Sequence, residues 1–152
     1  MPLSGVFSRL DLMKKWEVGS HGGTYGGNAV ACAAGVASIQ AIREDNMLKN
    51  ATERGEQLMT GLRKLQEEYT QIGDVRGKGL MIGTEFLVDG RPEKAKPLVK
   101  EIVHAAEERD LLLLSCGTYD NTIRWIPPLN VTSEQINDGL TAFEGALKTT
   151  IK

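Results

Sequence analysis

The chain has 152 residues, with 18 Lys and Arg against 20 Asp and Glu and a net charge of −2. That length supports a real hydrophobic core, and near-balanced charge without a basic tract argues against nucleic acid as partner. No run of 18 apolar residues suggests a membrane span, and no basic-then-apolar leader suggests secretion, so a cytoplasmic protein is expected. Cys32 and Cys116 lie far apart and are expected as free, buried thiols. His21 and His104 stand alone, so no metal site is expected.

Met1 to Ser8 reads as extended. Leu10, Leu12, Met13 and Trp16 suggest a short helix over Arg9 to Trp16. Next comes His21-Gly22-Gly23-Thr24-Tyr25-Gly26-Gly27-Asn28, with four glycines in eight residues. Such density does not suit a helix or strand interior, because each glycine there costs backbone entropy. Asn28 is a good N-cap, and Asn28 to about Asp45 reads as a helix of small residues. A glycine loop entering a helix offers backbone N–H groups and a positive dipole end, which suits an anion. Thr24 adds a hydroxyl. A tight structural loop would use the same residues. The helix has small residues on most faces, which suits either a subunit or interdomain contact or ordinary burial.

A second helix is expected from Met47 to Tyr69, with Leu48, Ala51, Gly55, Leu58, Leu62 and Leu65 as its apolar stripe. Strands are expected between Ile72 and Val88, with Arg76-Gly77-Lys78-Gly79 as the turn. That Gly-Lys pair is no P-loop, because no Ser or Thr follows Lys78. A third helix is expected from Pro97 to Asp110, then a short buried strand Leu111 to Leu114, a turn, and a strand Thr122 to Ile126. Thr132 and Gln135 form a capping-box pattern for the last helix, with Ile136, Leu140, Phe143 and Leu147 on its apolar side. Arg124 lies between Ile123 and Trp125. Its charge cannot be removed, so it needs a carboxylate or phosphate partner unless it faces solvent from an edge strand.

Three stretches, in order, resemble one family. His-Gly-Gly-Thr-Tyr-Gly-Gly-Asn followed by Ala-Cys-Ala-Ala is similar to the phosphate loop of class III aminotransferases, pyridoxal-phosphate enzymes of fold type I. Val-Arg-Gly-Lys-Gly-Leu-Met-Ile-Gly resembles their small domain. Leu-Leu-Leu-Leu-Ser-Cys-Gly-Thr-Tyr with Ile-Arg-Trp-Ile-Pro-Pro-Leu resembles the 4-aminobutyrate aminotransferase branch.

The resemblance implies an α/β, α+β-like fold, with three to four long helices on a small, mainly antiparallel sheet. Residues 1–45 would be a strip of the large cofactor domain, carrying the phosphate loop and an interface helix. Residues 46–152 would be the C-terminal small domain. Thr24, helped by the backbone at Gly23, would contact the phosphate of pyridoxal 5'-phosphate held by the neighbouring subunit, and the expected partner of the chain is a second copy in a homo-oligomer or the missing N-terminal part. Arg124 would fork onto a substrate carboxylate. The reaction implied is amino-group exchange between an ω-amino acid and a 2-oxo acid such as 2-oxoglutarate. The family's cofactor-bearing lysine stands a few residues before a stretch like Pro2-Leu3-Ser4-Gly5-Val6, so no catalytic residue is expected in this chain, and no turnover by it alone. Lys14 and Lys15 are not substitutes. The alternative is a non-catalytic interaction or regulatory module that associates through the aminotransferase dimer surface.

Overall fold

The computed structural model describes residues 3–151. They form two compact units, Met1–Asp45 and Asn46–Lys152.

In the first unit, a short helix α1 (Leu10–Met13) and a long helix α2 (Ala29–Glu44) are joined by the glycine loop. The Asn28 side chain caps α2 by accepting from the Ala31 amide at 3.0 Å, as its residue type predicts. Little apolar surface is buried here. Ala31 is buried, whereas Phe7, Trp16, Val18, Tyr25 and Val36 are exposed. The expectation of buried thiols fails at Cys32, which lies exposed on α2. Cys116 is half-buried, and both are free.

The second unit places three long helices against a four-stranded sheet, the fold class expected. The helices are α3 (Met47–Glu68), α4 (Lys96–Glu107) and α5 (Ser133–Thr150). The strands are β1 (Ile72–Lys78), β2 (Met81–Phe86), β3 (Leu114–Cys116) and β4 (Thr122–Trp125), in spatial order β1-β2-β4-β3, all antiparallel. Leu58, Leu62 and Leu65 of α3, Val99 and Ile102 of α4, and Phe143 and Leu147 of α5 share one core with Val75, Ile82, Phe86, Ile123 and Trp125 of the sheet. Trp125 meets Phe143 edge-on at 4.9 Å, and its indole N–H donates to buried Thr84 at 3.0 Å. Such a pairing satisfies the polar end of a buried tryptophan. The Thr132–Gln135 capping box forms as expected, starting α5.

Two local expectations are corrected, and one irregularity is added. Arg76, Gly77 and Lys78 belong to β1, and the hairpin turn is the two residues Gly79-Leu80, between the pair Lys78 and Met81. Gly79 has φ 56, the glycine-first geometry that matches strand twist. Ile72 and Val75 both face the core although they are three apart. A register shift between Ile72 and Asp74 makes this possible by inserting one residue, Gly73. Leu111 to Leu114 is not a buried strand. The strand begins at Leu114, and Leu112 and Leu114 are exposed while Leu113 is buried, the alternation of a one-sided sheet.

Close packing fixes α3 on the hairpin. A side chain at Gly55 would place its Cβ 2.2 Å from the Gly79 carbonyl oxygen, so only glycine lets the backbones meet.

Candidate functional site

The glycine loop and the outer face of the sheet are the two candidate regions, one in each unit. In the loop, Gly26 donates to the Gly23 carbonyl at 3.1 Å and Asn28 to the Tyr25 carbonyl at 3.2 Å. These bonds fold residues 23–28 into consecutive turns, with Gly27 at φ 72. The amides of Thr24 and Tyr25 make no backbone hydrogen bond among the described residues, and the Thr24 hydroxyl makes none either. Added Cβ atoms at Gly22, Gly23 and Gly27 would meet nothing within 4 Å, so the loop backbone is open on that side. Beyond it, the first amides of α2 lack helical partners, as at any helix start. Trp16 and His21 flank the loop, their ring centroids 5.8 Å apart. Free amides, a hydroxyl and a helix N-terminus are the donor set that a dianionic phosphate requires. The loop residues fit that group.

The second region is the sheet face opposite the core. Side chains alternate across a strand, so the face carries Asp74, Arg76 and Lys78 of β1, Met81, Gly83 and Glu85 of β2, Thr122 and Arg124 of β4, and Leu114 and Cys116 of β3. Arg76 donates to Asp74 at 2.7 Å and to Glu85 at 2.6 Å. The Asp74 bond, and then the Glu85 bond, raise the Arg76 pKa further above its ordinary value. Glu85 also accepts from Asn121 at 3.2 Å, which ties the network to the start of β4.

Arg124 is different. It pairs in register with Gly83 on one side and Leu114 on the other, so β4 is an interior strand and not the edge strand weighed from the sequence. Its side chain is exposed and has no ion pair or hydrogen bond among the described residues. Beside it runs a groove of about 310 Å³ lined by Leu112, Leu114, Arg124, Ile126 and Pro127. An unpaired guanidinium over an apolar groove suits a carboxylate on a short carbon chain, because the fork geometry takes both oxygens.

Thr24 and Gly23 thus lie together in the loop of the first unit, and Arg124 lies in the second. The Asp74–Arg76–Glu85 network went unread in the sequence. Assigning Arg76 to the turn hid the alternation Asp74-Val75-Arg76 that would have placed both charges on one face. Among the described residues no cluster of His, Cys, Asp and Glu could hold a metal, and no helix is long and apolar enough to cross a membrane.

Residues 1–147 match the family model for aminotransferase class-III. The chain is 41% identical over 140 residues to 5-aminovalerate aminotransferase of Pseudomonas aeruginosa, covering 91% of this chain and 33% of that protein. It is equally 41% identical over 140 residues to 4-aminobutyrate aminotransferase of Escherichia coli, with the same two coverages. Among solved structures, a PLP-bound amine transaminase from an uncultivated Pseudomonas species aligns with TM-score 0.78 and 31% identity, over 88% of this chain and 30% of that one. The chain therefore spans about a third of the length of the curated relatives it matches. With the family model matched along nearly the whole sequence, the chain belongs to the class III aminotransferases.

Proposed function

We propose that this chain supplies the phosphate contact and the substrate-carboxylate anchor of a pyridoxal 5'-phosphate-dependent aminotransferase. The reaction is amino-group transfer between an ω-amino acid of the 4-aminobutyrate type and a 2-oxo acid such as 2-oxoglutarate, in the cytoplasm. The observation that carries this reading is Arg124, an unpaired guanidinium on an interior strand beside an apolar groove. Relatives named for 4-aminobutyrate and 5-aminovalerate support the substrate class.

When bound, the cofactor would supply an electron sink for the amino-group transfer. The roles of this chain are binding and orientation. The Thr24 hydroxyl and the amides of Thr24 and Tyr25 would donate to the phosphate, with Gly23 keeping the backbone approachable. The phosphate so held would belong to the cofactor of the neighbouring subunit in the complete, homo-oligomeric enzyme. Arg124 would fork onto the substrate carboxylate and fix how far the reacting amino group stands from it. We assign none of the covalent chemistry to these residues, since Lys14 and Lys15 are exposed beyond the end of α1. Residues 1–45 are read as a strip of the large cofactor domain and 46–152 as the small domain. A second reading, a non-catalytic module that associates through its exposed apolar side chains, is favoured by Phe7, Val18 and Tyr25 of the first unit.

The test joins this chain in frame to the N-terminal part of a class III relative and assays transamination of 4-aminobutyrate with 2-oxoglutarate. Arg124→Lys keeps the charge and loses the fork. It should lower kcat/KM by the equivalent of about 1.5–3 kcal/mol, the worth of a hydrogen bond to a charged group. An unchanged kcat/KM for both substrates would remove the anchor role. A dimer that assembles without turnover would favour the second reading.

A further inference from the structure

Arg124 shares its sheet face with a carboxylate that does not pair with it. Glu85 of β2 stands opposite Thr122 of β4, one row along from the pair Gly83 and Arg124. Both side chains lie on the outer face, so Glu85 and Arg124 are diagonal neighbours. Diagonal neighbours on adjacent strands stand about 7–8 Å apart, within reach of long side chains. The residue directly beside Arg124 on β2 is Gly83, which puts no side chain in the way. An exposed guanidinium next to a free carboxylate would pair with it. Arg124 has no ion pair or hydrogen bond among the described residues.

The reason is that both oxygens of Glu85 are taken. Arg76 Nη1 donates to Oε2 at 2.6 Å, and Asn121 Nδ2 donates to Oε1 at 3.2 Å. Arg76 meets Glu85 along the other diagonal, since Asp74 faces Glu85 and Arg76 faces Gly83. Its Nη1 also donates to Asp74 at 2.7 Å, which keeps the guanidinium on the β1 side. Asn121 is buried and donates to the Phe86 carbonyl at 3.1 Å as well, so it is fixed in place. The Arg76 bond joins two full charges and is the shorter of the two, so Arg76 is the main restraint on Glu85. We propose that Arg76 is a positioning residue: by holding Glu85 toward β1, it keeps Arg124 free for a ligand carboxylate. This rests on the reading of Arg124 as a carboxylate anchor, and adds to it the residue that keeps the anchor open. Without Arg76, Glu85 turns to Arg124 and competes with the ligand for the same guanidinium.

The experiment follows the Arg124 Nε–H resonance of the full chain by NMR, first without ligand and then through a titration with butanoate. In the parent, butanoate should shift it. In Arg76→Met, the resonance should be displaced before any butanoate is added. Butanoate should then bind about two- to sixfold more weakly, the range for an exposed ion pair that competes for the same group. Adding Glu85→Gln to Arg76→Met should return both the unliganded resonance and the affinity to near their parental values. Adding Asp74→Asn instead restores the same net charge to the face but leaves Glu85 free, so it should restore neither. The indole resonance of Trp125, held by Thr84, reports that each variant is folded. If Arg76→Met does not fold, Arg76→Thr, which suits a strand and is too short to reach Glu85, takes its place. Parental affinity in Arg76→Met would overturn the proposal. So would weakening that Glu85→Gln does not relieve, or that Asp74→Asn relieves equally, which would make Arg76 a source of charge alone. A parent Arg124 resonance that butanoate leaves unmoved would overturn the anchor reading itself, and the proposal with it.

Discussion

The two units use similar residues to opposite ends. Residues 46–151 turn their apolar side chains into one shared core, in which Phe86, Val99, Ile102, Ile123, Phe143 and Leu147 are fully buried. In residues 3–45, Phe7 is 98% exposed and Val18 is fully exposed, and Ala31 is the buried apolar residue among those described. Burial of a Phe or Leu side chain contributes about 1.5–3 kcal/mol. The second unit collects that contribution many times over, which offsets the cost of ordering its chain. The first unit does not. Its helix α2 has a good cap, but a cap is worth only about 1 kcal/mol, and isolated helices of this length are marginal in water. The difference teaches that local signals place an element, whereas the number of buried neighbours decides whether it holds.

The largest expected effect contrasts one residue type in the two settings. Phe143→Ala should destabilise by about 3–5 kcal/mol in urea unfolding, because it opens a cavity against Trp125 and removes an edge-on aromatic pair. Phe7→Ala should change the same transition by less than about 0.5 kcal/mol, as for other exposed positions. Similar costs at the two sites would break the contrast.

A smaller effect sharpens it. Asp120 and Asp11 both have pKa values below the usual carboxylate range, through Lys96 and Arg9 respectively. The Lys96–Asp120 pair, 2.7 Å long, joins residues far apart in sequence and exists only in the folded second unit. A depressed folded pKa gives stability that is present above the unfolded value and lost as pH falls through the folded one. Asp120→Asn should therefore flatten the loss of stability below about pH 4, the ordinary aspartate range. Arg9–Asp11 spans two residues and can persist in the unfolded chain, so Asp11→Asn should leave that profile unchanged. Thermal melts from pH 5 downward measure both.

What the sequence made legible follows the same division. The stripe of α5, the stripe of α3 from Ala51 to Leu65, the cap at Asn28 and the box at Thr132 and Gln135 depend on residues three and four apart, and the structure contains them, whereas Leu48, expected in the α3 stripe, is exposed. The hairpin was misplaced because Arg76-Gly77-Lys78-Gly79 has turn composition, while pairing of Lys78 with Met81 pulls three of those residues into β1. The bulge at Gly73 had as its local sign only a glycine within a strand pattern. The strand order β1-β2-β4-β3, which makes β4 interior, is a long-range fact. It placed Arg124 on the outer face of an interior strand, beside the groove, instead of at a sheet edge. The Asp74–Arg76–Glu85 network stayed hidden for the same reason, since Glu85 reaches Arg76 only across the hairpin.

Native-state hydrogen exchange on the full chain tests the contrast most directly. The account predicts that amides of β2, β4 and the middle of α3 and α5 exchange only through global unfolding, with a shared free energy that falls in step with denaturant. Amides of α2 should exchange through local opening at free energies near zero, insensitive to denaturant. Protection of Ala33 to Gln40 equal to that of Ile82, Phe86 and Ile123 would contradict it.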